Sequence, residues 1–134
     1  MSATGPKLFV YGTLRSSGSH EMARLLRANS TLIGPAELPQ SRLLNVGRYP
    51  GVVRAAGERT TVKGDLFQLT DPAVLGRLDR YEDCDLRAPK ASEFIRRQRL
   101  VRLRNGRRAR AWVYEYNRPT AGLTPIASGV YRPV

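Results

Sequence analysis

The chain has 134 residues, 41% of them hydrophobic, with 23 Lys and Arg against 11 Asp and Glu for a formal charge of +12. That length and apolar share predict one globular domain over 1–134 with a real core, and they exclude a disordered chain. A single cysteine, Cys84, excludes an intrachain disulfide, and with a single histidine the chain lacks the usual zinc ligand set. No segment approaches membrane-spanning length, and residues 1–7 lack the apolar stretch of a signal peptide, so the expected setting is cytoplasmic. The charge excess predicts attraction to anions.

In chain order, Lys7-Leu8-Phe9-Val10 is a short apolar run that reads as a buried strand. It runs straight into Tyr11-Gly12-Thr13-Leu14-Arg15. Gly12 permits a sharp turn and close approach of a ligand, and the amides beyond such a turn have no ladder partner, so they are left to donate to an anion or a polarised carbonyl. A strand corner with no ligand is the plainer reading of the same pentad. Residues 20–28 read as a helix, with Met22, Leu25 and Leu26 inward, Arg24 and Arg27 outward, and His20 at its start. Residues 30–38 and 42–46 read as strands separated by Pro39. Tyr49-Pro50 opens another extended piece, because the residue before proline avoids the helical region. Residues 60–69 alternate as a strand, within which Gly64 marks a bulge or a close backbone approach.

Residues 71–82 form the second predicted helix, with Asp71 as N-cap and Pro72 at the first helical position. Val74, Leu75, Leu78 and Tyr81 make one apolar stripe. The helix delivers Leu78-Asp79-Arg80-Tyr81-Glu82 at its C-terminal end. The macrodipole there disfavours an ionised Glu82 and raises its pKa, which is what a general base working near neutral pH needs. A solvated helix-end charge is the alternative. Cys84 is a candidate thiol nucleophile only if folding brings His20 to it. Asp83 and Asp85 are candidate second acids in a polar loop over 83–92, where aspartates also serve as turn residues.

Residues 94–104 and 107–117 flank Asn105-Gly106, which predicts a two-residue hairpin turn with both residues at positive φ. That register pairs Arg104 with Arg107, Arg99 with Trp112 and Arg96 with Glu115. It lays Arg99 on the indole and Arg96 against a carboxylate. It also puts Ile95, Val101 and Leu103 on one face with Trp112, Tyr114 and Tyr116. Eight arginines fall in this stretch, at 96, 97, 99, 102, 104, 107, 108 and 110. They read as a solvated face or as a phosphate-contacting one, and without interleaved exposed aromatics the attraction to polyanions is weak and non-specific. The tail from Pro119, rich in Gly and Pro, is expected to wrap the surface. The pattern as a whole is strand-rich with two short helices, an α+β domain.

Six pieces recur in a familiar order: Phe9-Val10-Tyr11-Gly12-Thr13-Leu14, Tyr49-Pro50-Gly51-Val52, Val62-Lys63-Gly64-Asp65-Leu66-Phe67, Leu78-Asp79-Arg80-Tyr81-Glu82, Ala111-Trp112-Val113-Tyr114 and Ser128-Gly129-Val130-Tyr131. In these the chain resembles the gamma-glutamylcyclotransferase-like (avirulence-induced-gene-like) family, in its small single-domain branch. The resemblance implies a mixed, largely closed β-barrel with the helices packed outside and a pocket at one end. It implies a small-molecule γ-glutamyl substrate whose own α-amine attacks its γ-carbonyl, releasing 5-oxoproline and an amine. No metal or cofactor is implied, and the protein would be a monomer or homodimer. Glu82 would be the catalytic proton shuttle. Tyr11, Gly12, Thr13 and Leu14 would form the substrate loop, with Arg15 a weaker candidate, and Tyr49, Tyr81 and Tyr131 would line the pocket. Three departures stand out: Asp83 replaces a common Gly, Phe94 replaces a Tyr two residues before Arg96, and the spacing of the 83–92 loop is unusual. The alternative function is a non-catalytic module that uses the Arg-rich hairpin 94–117 for nucleic acid or another polyanion.

Overall fold

The buried apolar residues gather into two cores, and a closed ring of strands separates them. The computed structural model describes residues 5–12, 21–47 and 49–131. Its strands are β1 (Lys7–Val10), β2 (Ser30–Pro39), β3 (Ser41–Asn45), β4 (Pro50–Arg54), β5 (Thr61–Leu69), β6 (Phe94–Leu103), β7 (Arg108–Tyr116) and β8 (Thr124–Pro125), and its α-helices are α1 (Glu21–Ala28) and α2 (Val74–Tyr81). Antiparallel pairs join β1 to β5, β5 to β2, β2 to β6 and β6 to β7. A parallel contact, Leu8 beside Trp112, then closes β7 onto β1. Closure removes the exposed edges that an open sheet would offer to other chains. From β7 the sheet continues outward through β4 and β3 to β8. The expected mixed, largely closed barrel with two short helices is therefore what the chain adopts.

Alternation along the strands sorts the side chains. Phe9 and Tyr11 point into the barrel with Leu38, Val62, Leu66, Val101, Ala111 and Val113. The alternate residues Leu8, Val10, Phe67, Leu69, Phe94 and Tyr114 face outward, under Leu26 of α1 and under Val74, Leu75 and Leu78 of α2. Leu78 is fully buried, so truncating it to Ala should cost about 2–5 kcal/mol. Gly64 is the close approach expected of it: a Cβ there would stand 2.2 Å from the carbonyl oxygen of Val10. The ladder irregularity falls elsewhere, between Leu32 and Gly34 of β2.

Three expectations change. First, α2 begins at Val74 rather than Asp71. The Asp71 carboxylate accepts from the Ala73 amide at 3.0 Å, and Val74 donates to the Asp71 carbonyl, so Asp71 caps a tight turn that leads into the helix. Second, the hairpin loop has three residues, not two. The Leu103 amide donates to the Arg107 carbonyl and the Gly106 amide to the Leu103 carbonyl. Gly106 alone takes a positive φ, of 85°, while the Asn105 side chain accepts from the Arg107 amide. A three-residue loop ending in a left-handed Gly satisfies the strands with one strained position instead of two. The register moves by one, so Arg96 stands opposite Tyr114, Gln98 opposite Trp112, and Arg99 opposite Ala111. Third, the tail does more than wrap the surface. Its β8 adds to β3, the Lys63 amide donates to the Gly129 carbonyl at 2.8 Å, and Ile126 and Tyr131 pack against the interior core.

Candidate active site

The end of α2 is built by backbone hydrogen bonds. Glu82 caps the helix, with its amide donating to the Leu78 carbonyl at 2.9 Å. Asp83 then takes φ 52°, its amide reaches the Arg80 carbonyl, and the Cys84 amide reaches the Asp79 carbonyl at 2.8 Å. This paired closure is the Schellman arrangement, whose left-handed position glycine occupies at least cost. Asp83 fills it at some cost, since a short polar side chain tolerates the left-handed region better than most. That turn aims Glu82 into a pocket of about 60 Å³ between α2 and the ends of β1, β4 and β6.

Tyr11, Gly12, Tyr49, Tyr81 and Phe94 share that pocket with Glu82. Burial pushes the Glu82 carboxyl up to about 7, and the neighbouring charge of Glu93 pushes in the same direction. Burial in the pocket, rather than the helix end alone, therefore makes Glu82 basic enough to accept a proton near neutral pH. Glu93 is the second acid, in place of Asp83 or Asp85. The Tyr49 hydroxyl donates a short hydrogen bond to it, which together with burial holds that phenol at about 12. Phe94 presents an apolar wall and stacks edge-on against Tyr116 at 5.5 Å between ring centres. With no hydroxyl, its ring adds to the dry surroundings of Glu82.

Tyr11 points the other way. Its hydroxyl donates to the Tyr114 carbonyl at 2.6 Å and accepts from the Val52 amide at 3.3 Å. β7 pairs with β1 at Trp112 and with β4 at Glu115. The Tyr11 hydroxyl fills the fork between those two contacts, so this side chain ties the end of β1 to β7 and β4 where Tyr11 borders the pocket. Burial first, and then the nearby Glu82 charge, raises its pKa well above the ordinary phenol value, so the hydroxyl keeps its proton. Gly12 does not need positive φ; a Cβ there would press on Pro50 Cγ at 3.1 Å, so any larger residue would have to push the proline ring aside. Thr13, Leu14, Arg15 and His20 lie outside the described residues. Tyr131 packs on the interior core instead of lining the pocket.

Behind Glu82 lies a polar network that the strand pattern did not reveal. Arg96 of β6 donates from Nε and Nη2 to the two carboxylate oxygens of Asp79 at 2.8 and 3.0 Å. The Tyr114 hydroxyl donates to the same carboxylate at 2.6 Å. The Arg96 guanidinium lies 4.3 Å from the centre of the Trp112 ring. Arg99, not Arg96, meets Glu115, at 2.6 and 2.9 Å. The expected roles of the two arginines are thus exchanged, a direct result of the one-residue register shift. Asp79 lies three residues before Glu82, and helical spacing puts such pairs on neighbouring positions of one face. The network ties that face to the barrel and so fixes where Glu82 points. Cys84 is buried, which raises its thiol pKa and keeps it protonated, so it packs rather than attacks.

Comparison with known proteins places the chain in a family. Residues 8–133 match the family described as gamma-glutamyl cyclotransferase, AIG2-like. The chain belongs to that family. Over 125 residues it is 36% identical to a gamma-glutamylcyclotransferase family protein, YtfP, of Citrobacter rodentium, covering 92% of each chain. The solution structure of YtfP from Escherichia coli superposes with a TM-score of 0.61 at 30% identity, covering 93% of this chain and 95% of that one. An AIG2-like protein from Mus musculus shares the fold, with a TM-score of 0.63 at 20% identity over 96% of both chains. The chain is thus similar to small, YtfP-like members of the family. Among its described residues no helix is long and apolar enough to cross a membrane.

Proposed function

We propose that this protein is a gamma-glutamyl cyclotransferase that releases 5-oxoproline from a small γ-glutamyl amine or peptide, in a cytoplasmic setting. The observation that carries the reading is Glu82: a carboxylate raised to about 7 in a small pocket beside the Tyr11–Gly12 turn. The substrate's α-ammonium first gives a proton to the Glu82 carboxylate. The freed amine attacks the γ-carbonyl carbon, forming the ring C–N bond. Negative charge that gathers on the γ-oxygen calls for fixed donors, and the backbone after Tyr11 is the natural source. The exocyclic C–N bond then breaks, the leaving amine takes the proton back from Glu82, and the attacking nitrogen gives its second surplus proton to the freed carboxylate, from which it passes to solvent or to the released amine. A single group serves both transfers because its pKa lies near the working pH. Holding the flexible glutamyl chain folded supplies part of the roughly 7–11 kcal/mol available from orientation.

The test is mass spectrometry of 5-oxoproline across a panel of γ-glutamyl amines, dipeptides and amide-linked metabolites, with wild type and Glu82→Gln in parallel. Release by wild type alone is the expected result. Wild type that releases nothing from any member, or Glu82→Gln that turns over within about threefold of it, a change of roughly 0.65 kcal/mol in the barrier, sinks the proposal.

A further inference from the structure

A second concavity, of about 410 Å³, lies toward the tip of the β6–β7 hairpin and shares no residue with the Glu82 pocket. Five arginines from three strands line it: Arg54 of β4, Arg99 and Arg102 of β6, Arg108 and Arg110 of β7. No acidic residue is among its lining. Arg99 is held by Glu115, and Arg102 by Glu37 at 2.6 Å, so these two guanidinium forks are fixed in direction. Arg54, Arg108 and Arg110 have no carboxylate within ion-pair distance among the described residues. Arg108 stands directly opposite Arg102 in the ladder. The Glu37 carboxylate on Arg102 offsets part of the repulsion between these like charges, which leaves Arg108 as the uncompensated member of the pair. The same face carries Arg110 opposite Leu100, which is 50% exposed.

The shape and the lining select the ligand. Arg102, Arg108 and Arg110 share one face of the hairpin at this concavity, and guanidinium groups gathered in that way suit a compact anion of high charge density, because each free planar fork matches two phosphate oxygens. A single-stranded nucleic acid would instead use aromatic platforms for its bases, and no aromatic residue lines the groove. We propose that this groove binds an oligophosphate group, either free or at the end of a nucleotide, through its phosphate oxygens and without reading a base.

Isothermal titration of the full chain with inorganic tripolyphosphate, at about 0.15 M salt where charges are screened beyond about 8 Å, tests this directly. Saturable one-to-one binding is expected, with a nucleoside triphosphate competing for the same site. Arg108→Ala with Arg110→Ala should weaken it at least about tenfold, since a charge-assisted hydrogen bond is worth on the order of that factor. Arg77→Ala, an exposed arginine on α2 outside the groove, should leave it unchanged. Three results overturn the proposal: no saturable binding of tripolyphosphate, an equal loss in Arg77→Ala, or tight binding of single-stranded RNA that tripolyphosphate does not displace. Thermal melting of the double variant confirms that any loss occurs in a folded protein.

Discussion

The two ends of the β6–β7 hairpin carry the same residue type and use it in opposite ways. At the base, Arg96 is mostly buried, bound by both nitrogens to Asp79 and laid on Trp112. At the tip, Arg108 and Arg110 are exposed, and no carboxylate among the described residues meets them. Arginine count therefore says little; what a guanidinium does depends on what the fold packs against it. The base arginine positions Glu82 through α2, and the tip arginines leave a field directed at solvent.

The largest effect that would break this contrast lies at the base. Glu82→Gln should lower kcat by about 10²–10⁴, because Gln keeps the shape and loses the proton-accepting group. In wild type, kcat/KM should rise as pH rises through about 7, since the free enzyme must hold Glu82 ionised before the substrate ammonium can give up its proton. Stability should move the other way. A carboxyl whose pKa is raised from 4.5 to about 7 on folding binds protons more tightly in the native state, so stability falls as pH rises between those values. Glu82→Gln should therefore melt above wild type at pH 8 and near it at pH 4, by about 1–3 kcal/mol at the upper end. A variant equally inactive but less stable at pH 8 would mark Glu82 as structural.

Arg96→Leu comes next. It leaves Asp79 without its charged partner, which should cost about 3 kcal/mol in denaturant unfolding. Arg108→Ala at the tip should stay within about 0.5 kcal/mol of wild type. Equal costs at the two ends would erase the distinction. Tyr11→Phe should be intermediate, about 1–2 kcal/mol, because it orphans the Val52 amide and the Tyr114 carbonyl at the sheet fork. Its effect on KM should exceed its effect on the pH profile, since the hydroxyl ties the pocket end of β1 to its neighbouring strands and is not bonded to Glu82.

The smallest effect sharpens the comparison most finely. Asp83→Gly should stabilise the protein by about 0.5–1 kcal/mol, because glycine takes the left-handed position at φ 52° with less strain. Thermal melting checks it, and a destabilised Asp83→Gly would mean that the side chain of Asp83 contributes more at this turn than its backbone strain removes.

Where the pattern is local, the sequence is enough. The unbroken apolar run Leu8, Phe9, Val10 marks a strand buried on both faces, and strand period divides it into two sets, although only the fold assigns Phe9 and Tyr11 to the barrel and Leu8 and Val10 to the helices. Val74, Leu75 and Leu78 of the expected stripe fix the buried face of α2 and with it the placement of Glu82 at the helix end, whereas Tyr81, the fourth residue of that stripe, is 41% exposed and lines the pocket instead. The motif pieces likewise suffice for the family, since their order and spacing are properties of the chain. Tertiary structure decided the rest. A turn of three residues rather than two moved the hairpin register by one, and that exchange put Arg96 with Asp79 and Trp112 and gave Glu115 to Arg99. Glu93, at the far end of the 83–92 loop, became the charged neighbour of Glu82 only when that loop folded back and the Glu93 amide met the Asp83 carbonyl. The pKa of Glu82 depends on that meeting too, because burial is a property of what surrounds a carboxylate in space and not of what precedes it along the chain.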